Sequence, residues 1–260
     1  MRKKLIIHAG FPKCASTSIQ RFLNNRAQDL NSSSVAVIGD RFTYGSGKIG
    51  SPIWFLEEKR KGGEKLAELL ENAIMKGSES FDKYIISSEN LNGERFAELF
   101  QGIDRSFDVS VVFYIRPQQS WLISAWKQFE ISRGKDLSTF LDQAINRSYP
   151  RFLKQICEWE QNLPEAKIIV KPLHSKYLFG GSPVTDFCKV SEIEGFDYDE
   201  VRVNQSFDYS LLHLLKENSH VFGGQKKTNW LFKKLSLVIP SEYQKTNIDM
   251  VNREYQERIE

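Results

Sequence analysis

The stretch KKLIIHAGFPKCASTSIQRFL, residues 3–23, constrains the fold more than any other part of the chain. Leu5, Ile6 and Ile7 form a continuous apolar run, which ends at Gly10 and a polar loop. From Ser16 onward, Ile19, Phe22 and Leu23 recur at helical spacing. A strand, a glycine loop and a helix in direct succession turn several free backbone N–H groups toward one point. The helix start adds roughly half a positive charge there. Such a place suits a phosphate-like anion. Gly10 opens a pattern close to the nucleotide-triphosphate loop G-x-x-x-x-G-K-S/T. Ala15-Ser16-Thr17 falls where G-K-S/T belongs, but the lysine lies earlier, as Lys13, on the loop itself.

The rest of the chain alternates in the same manner. Apolar runs at 3–9, 35–38, 83–87, 109–115 and 168–170 read as strands. Helical spacing covers 16–25, 65–75, 121–131, 137–145, 149–161, 184–190 and 206–217, with a short helix at 96–100. Residues 40–63, rich in glycine, serine and charge, read as a long loop around Trp54 and Phe55. Continuous apolar strands separated by helices predict an α/β fold, a three-layer sandwich with a central, mainly parallel sheet. At 260 residues the chain is long enough to bury a full core, so one domain over 1–260 is expected.

Charge and cysteine usage remove several function classes. A net charge of +3 is too mild for a nucleic-acid binder, whose domain pI is expected above ~9. Cys14, Cys157 and Cys188 are dispersed and odd in number, which gives neither a metal spacing nor a disulfide framework. A reducing compartment follows. The apolar piece behind Met1 is too short for a signal peptide, whose apolar core runs ~7–15 residues. No apolar run approaches the ~20 residues that span a bilayer. The expectation is a cytoplasmic protein without a transmembrane segment.

A site that handles a nucleoside triphosphate needs an acid at a neighbouring strand end to hold magnesium. The strongest strand here ends Ile115-Arg116-Pro117, which offers a cation instead. Two cations and no evident acid point to a phosphate-rich ligand handled without a metal.

These residues carry a resemblance. Pro12-Lys13-Cys14-Ala15-Ser16-Thr17 resembles the P-K-x-G-S/T-T loop of the sulfotransferases that use 3′-phosphoadenosine 5′-phosphosulfate (PAPS). Arg116 and Ser124, at a strand end and in the helix behind it, resemble that family's second signature. The likeness covers the first half of the chain well and the second half loosely. It implies a P-loop-like sulfotransferase fold, PAPS as co-substrate, adenosine 3′,5′-bisphosphate (PAP) as product and no metal. Under it, Lys13, Cys14, Ala15, Ser16, Thr17 and Ser18 cradle the 5′-phosphate, and Arg116 with Ser124 grips the 3′-phosphate. Lys13 attends the oxygen that bridges phosphate and sulfate. Arg202, ahead of the 206–217 helix, is implied as a further phosphate contact. Ala15 replaces the family's glycine. It is strained if that position has positive φ and harmless if it is helical.

The acceptor hydroxyl needs a base. Glu89 lies just past the 83–87 strand, at the sheet edge where ligands bind in open α/β folds. It is the expected catalytic base, with His174 as runner-up. His8 is expected only to pack, and Cys14 to be a loop residue rather than a nucleophile, having no partner base. Trp54, Phe55 and Trp126 are candidates to line a sugar site. The run SAWKQFEISRG and the aromatic residues after it resemble the carbohydrate-acting branch of the family. That implies a glycan or glycolipid hydroxyl as acceptor. Two other classes fit the same residues: a P-loop kinase acting on a small molecule, and a catalytically silent PAP- or PAPS-binding protein.

Overall fold

The computed structural model describes residues 2–39, 66–76 and 81–196. Trp54, Phe55, Arg202, the expected 206–217 helix and the basic C-terminal segment lie outside the described residues. In chain order the elements are β1 (Lys4–Ala9), α1 (Ser16–Asn25), α2 (Ala27–Ser32), β2 (Val35–Ile38), α3 (Leu66–Lys76), β3 (Lys83–Ser88), β4 (Asp108–Ile115), α4 (Gln118–Phe129), α5 (Leu137–Asn146), α6 (Phe152–Asn162), β5 (Lys167–Pro172) and α7 (Pro183–Val190). Two compact units result. One is Met1–Arg116 with Arg151–Glu200, and the other is Pro117–Pro150 with Val201–Glu260.

The first unit is the expected α/β sandwich. Its five strands are all parallel, in the order β2-β3-β1-β4-β5. β1, β2 and β3 are buried along nearly their whole length, as strands covered on both faces must be. β4 shows the two faces directly, because successive side chains point to opposite sides. Phe113 packs toward Trp159 of α6, with ring centroids 6.4 Å apart. Tyr114 points the other way and donates a hydrogen bond from its hydroxyl to Asp186 Oδ2 of α7 at 2.9 Å. Asp186 also accepts from the Phe179 amide at 2.8 Å and faces Lys171 Nζ at 3.3 Å, so this buried carboxylate is fully engaged.

β1 carries one polar side chain into this interior. His8 is fully buried against Phe187 and Tyr114. The register sets it opposite Ser87 of β3, and its Nδ1 lies 2.8 Å from Ser87 Oγ. Its Nε2 has no hydrogen-bond partner among the described residues. Burial drives its pKa from 6.5 down to about 3, so the ring is neutral. The packing role expected of His8 is the one it has.

The second unit's described part is a pair of helices joined by a tight turn. Leu122, Ile123 and Trp126 of α4 pack with Ile131, Leu137, Leu141 and Ala144. Trp126 is 3% exposed and donates its indole N–H to the Lys135 carbonyl at 2.9 Å. It is a core residue rather than a sugar platform. α4 starts at Gln118, earlier than apolar spacing alone indicates, because Pro117 in an extended conformation begins the turn. The Trp121 amide and the Ser120 hydroxyl both bond to the Pro117 carbonyl at 3.0 Å. α2 has only Ala27 and Leu30 buried, too sparse a pattern to announce a helix.

His8 gives the fold a signed pH dependence. Between the unfolded value near 6.5 and the folded value near 3, the unfolded chain binds a proton that the native chain does not. Stability therefore falls as pH drops through that window, by about 1.4 kcal/mol per unit at most from this residue. Urea unfolding at several acidic pH values should show a shallower loss in His8→Gln than in the wild type. Equal slopes would assign the acid sensitivity to other groups.

Candidate active site

The chain leaves β1 toward β2 but leaves both sheet neighbours of β1, β3 and β4, in the other direction, so the connections reverse at β1. Ligands in open parallel sheets bind outside the carboxyl ends of strands at such a point. Here those ends are Ala9 and Ser88, and the segments beyond them are the loop 10–15 and the 3₁₀ turn Glu89–Asn92.

Gly10 lets the two segments close on each other. Its amide donates to the Ser88 carbonyl at 3.1 Å, and its own carbonyl accepts from Asn92 Nδ2 at 2.6 Å. A Cβ at this position would lie 2.8 Å from Ser16 Cβ and 3.5 Å from Glu89 Cα. No side chain fits without pushing the start of α1 away from the β3 turn. That turn is tied down on its other side as well, where Trp159 Nε1 donates to the Leu91 carbonyl at 3.3 Å.

The loop itself is wound through left-handed backbone. Lys13 has φ 63° and Ala15 has φ 66°. Ala15 is the N-cap of α1 and makes no side-chain cap; its carbonyl accepts from the Ser18 and Ile19 amides at 3.0 and 3.3 Å, and the N–H groups ahead of Ser18 have no partner from the cap. A left-handed residue followed directly by right-handed helix turns successive N–H groups into an anion-binding concavity. Alanine pays roughly 1–2 kcal/mol to stand in that region, where glycine is at ease.

The charges converge on this concavity. Lys13 is half-buried, and its pKa is held below 10.5 by burial first and by the Arg116 guanidinium second, while Glu89 works in the opposite direction. The Arg116 backbone and its charge also act on the Cys14 thiol, against the effect of burial. Arg116, one residue past β4, and Lys13, in the loop past β1, thus share one electrostatic neighbourhood with Glu89 from the turn past β3. Burial pushes the Cys14 thiol up to about 12, so it stays protonated and unreactive, a loop residue as expected.

Ser16 is 2% exposed, and its hydroxyl donates to Glu89 Oε1 at 3.0 Å, with the Phe11 carbonyl at 3.4 Å. Thr17 is exposed and Ser18 half-buried. Ser124 is half-buried on α4 of the second unit. His174 is exposed, accepts from the Lys176 amide at 3.2 Å and stacks on Tyr177, which gives it a local role in its own turn. Among the described residues, no group of three or more His, Cys, Asp and Glu is placed to hold a metal ion, and no helix is long and apolar enough to cross a membrane.

Two features of the site exceed the sequence reading. β1 has two sheet neighbours, and the second of them, β3, does end on an acid, Glu89. Asn92 also emerges as a site residue. Its signal was the spacing Glu89-x-x-Asn92 directly after a buried strand, which places both side chains on one short turn.

The geometry sets two expectations. Ala15→Gly should raise the unfolding free energy by about 1 kcal/mol through relief of the left-handed alanine, read from urea unfolding; a loss of stability would mean that the position is not strained. Anion binding should weaken with rising pH before the ordinary lysine value of 10.5 is reached, because Lys13 loses its proton early. Calorimetry with pyrophosphate should show this alkaline limb in the wild type and not in Lys13→Arg, whose guanidinium stays charged.

No protein-family model matches the chain. No curated protein matches it either. Among solved structures it is similar to shikimate kinase from Bacteroides thetaiotaomicron, at 12% identity over 84% of this chain and 96% of that one, with a TM-score of 0.28, a likeness that carries no argument about the activity.

Proposed function

We propose that the protein is a sulfotransferase that moves the sulfuryl group of PAPS to a hydroxyl, with a glycan or glycolipid as the acceptor class. The observation that carries this reading is the pairing of Lys13 with Arg116 beside the anion loop, with Glu89 in the same neighbourhood. Two cations in each other's field repel, and a polyanion between them removes that cost. PAP suits the arrangement because its two phosphates flank one ribose. The positive φ at Ala15 supports the reading further, since this is the position that the resembling family fills with glycine.

The chemistry is an in-line displacement. The acceptor oxygen attacks sulfur, and the bond from sulfur to the 5′-phosphate oxygen breaks. The electron pair leaves on that phosphate oxygen, where the Lys13 ammonium stabilises the charge as it grows. The acceptor proton passes to the Glu89 carboxylate, a step typically worth ~10²–10⁴ in rate. Of the expected cradle Cys14 through Ser18, the Cys14 and Ser18 amides are engaged by the Phe11 and Ala15 carbonyls, so Ala15, Ser16 and Thr17 supply backbone N–H groups to the 5′-phosphate, and Arg116 serves the 3′-phosphate. The products are a sulfate ester and PAP.

One observation favours a second reading, a P-loop kinase acting on a small molecule. Glu89 ends the strand beside β1, where an acid would hold magnesium against a triphosphate, and the exposed Thr17 hydroxyl occupies the metal-binding slot of the nucleotide loop pattern.

Calorimetry with a nucleotide panel separates the two. PAP binding without a metal and without competition from ATP is expected; magnesium-dependent ATP binding and no affinity for PAP would replace the sulfotransferase with the kinase. Within the sulfotransferase reading, Lys13→Ala should cut turnover far more than PAP affinity, and equal losses would reduce the lysine to uniform binding. Arg116→Ala should weaken PAP by about 1.5–3 kcal/mol, the worth of one charged hydrogen-bonded contact.

A further inference from the structure

Ser16, the first residue of α1, is 2% exposed, and its hydroxyl is turned to the Glu89 turn. It donates to Glu89 Oε1 at 3.0 Å. Thr17, the next residue, is exposed and keeps its hydroxyl available at the helix start. The two neighbouring hydroxyls therefore have different surroundings. Gly10 is shaped by the same need. A Cβ there would lie 2.8 Å from Ser16 Cβ and displace it, while standing in ordinary contact with Glu89 Cα at 3.5 Å. Asn92 holds the far end of the Glu89 turn to the Gly10 carbonyl at 2.6 Å. The turn is thus clasped to the loop at both of its ends, once by Ser16 and once by Asn92.

We propose that Ser16 is a positioning residue for the base rather than a phosphate ligand: its hydroxyl fixes the Glu89 carboxylate beside the anion loop, while the loop amides and Thr17 hold the phosphate. This assignment rests on the sulfotransferase reading for the identity of the reaction. A carboxylate on a short turn has free rotation about its own bonds. One hydrogen bond to Oε1 fixes the plane of the group and leaves Oε2 to receive the acceptor proton.

The test is a double-mutant cycle on the full chain with Ser16→Ala, Glu89→Gln and the double variant, beside Thr17→Ala. PAP affinity is read by calorimetry, and turnover is read with labelled PAPS and a cell-surface polysaccharide extract. Ser16→Ala should lower kcat by about 10–100-fold, the cost of a misplaced reacting group, with PAP affinity changed less than about twofold. Thr17→Ala should do the reverse and weaken PAP. In the Glu89→Gln background, Ser16→Ala should have no further effect on kcat, because the group that it positions is gone. Additive losses from Ser16→Ala and Glu89→Gln would overturn the assignment, as would weakened PAP binding with kcat intact; either result leaves the sulfotransferase reading standing. A wild-type protein that binds PAP and transfers nothing to the extract would overturn both.

Discussion

A lysine and an arginine that feel each other's charge at a half-buried site are a debt that only a negative group can settle. Burial and the neighbouring guanidinium both make it harder for Lys13 to keep its proton, while Glu89 and, less strongly, Cys14 work the other way. The cations sit at the carboxyl edge of a parallel sheet, beside a helix start whose amide groups also seek negative charge. Such an arrangement is costly for the protein alone and becomes favourable when an anion with more than one charge enters. The loop conformation, the glycine and the strained alanine all follow from holding those groups together.

Backbone strain and close packing divide that work. Ala15 and Lys13 sit in left-handed conformations, which the chain holds because β1, α1 and the Glu89 turn fix both ends of the loop. Gly10 contributes by what it lacks. Its missing side chain is the gap through which Ser16 reaches Glu89. The His8 ring lies on the other side of the same gap, 3.3 Å from where a Gly10 Cβ would stand, and its hydrogen bond to Ser87 ties β1 to β3 just below the site. Rigid strands thus deliver flexible side chains to one point, which is how an active-site geometry is kept within narrow limits.

The sequence announced the parts of this arrangement that are local. Apolar runs marked all five strands, and the glycine loop ahead of Ser16 marked the anion site, because strand, turn and helix there are consecutive in the chain. Cys14 and His8 were read correctly from what their neighbours lack. What stayed hidden was contact between distant segments. The acid test looked at the end of β4, found Arg116, and missed that β3 is the other neighbour of β1 and ends in Glu89. Strand order is a global property, and periodicity carries no trace of it. The partner of Ser16 was hidden for the same reason, as its hydrogen bond to Glu89 joins residues far apart in the chain. Trp126 stood open between sugar site and core because its companions Ile131 and Leu141 come from the next elements, and their packing shows it to be core.

Glu89 is where the two candidate chemistries divide, because each would use its charge differently. A phosphoryl donor brings a triphosphate whose leaving charge is normally shared with a divalent metal, and an acid near the loop then serves that metal. A sulfuryl donor carries less charge on the group in transit, so one ammonium at the bridging oxygen and one guanidinium at a second phosphate can balance it. In that case the acid has no metal to serve and is left with proton transfer. The Glu89 carboxylate is already engaged, since Oε1 holds the Ser16 hydroxyl and Lys13 lies within its field. A carboxylate with one oxygen pinned by a buried hydroxyl and with a protein cation at hand is placed to take a proton on its other oxygen. To bind a metal it would have to share its charge with Lys13. Under the proposed sulfotransferase reading, the cations that the sequence placed on the loop and past β4 are the groups that leave the acid to general-base work.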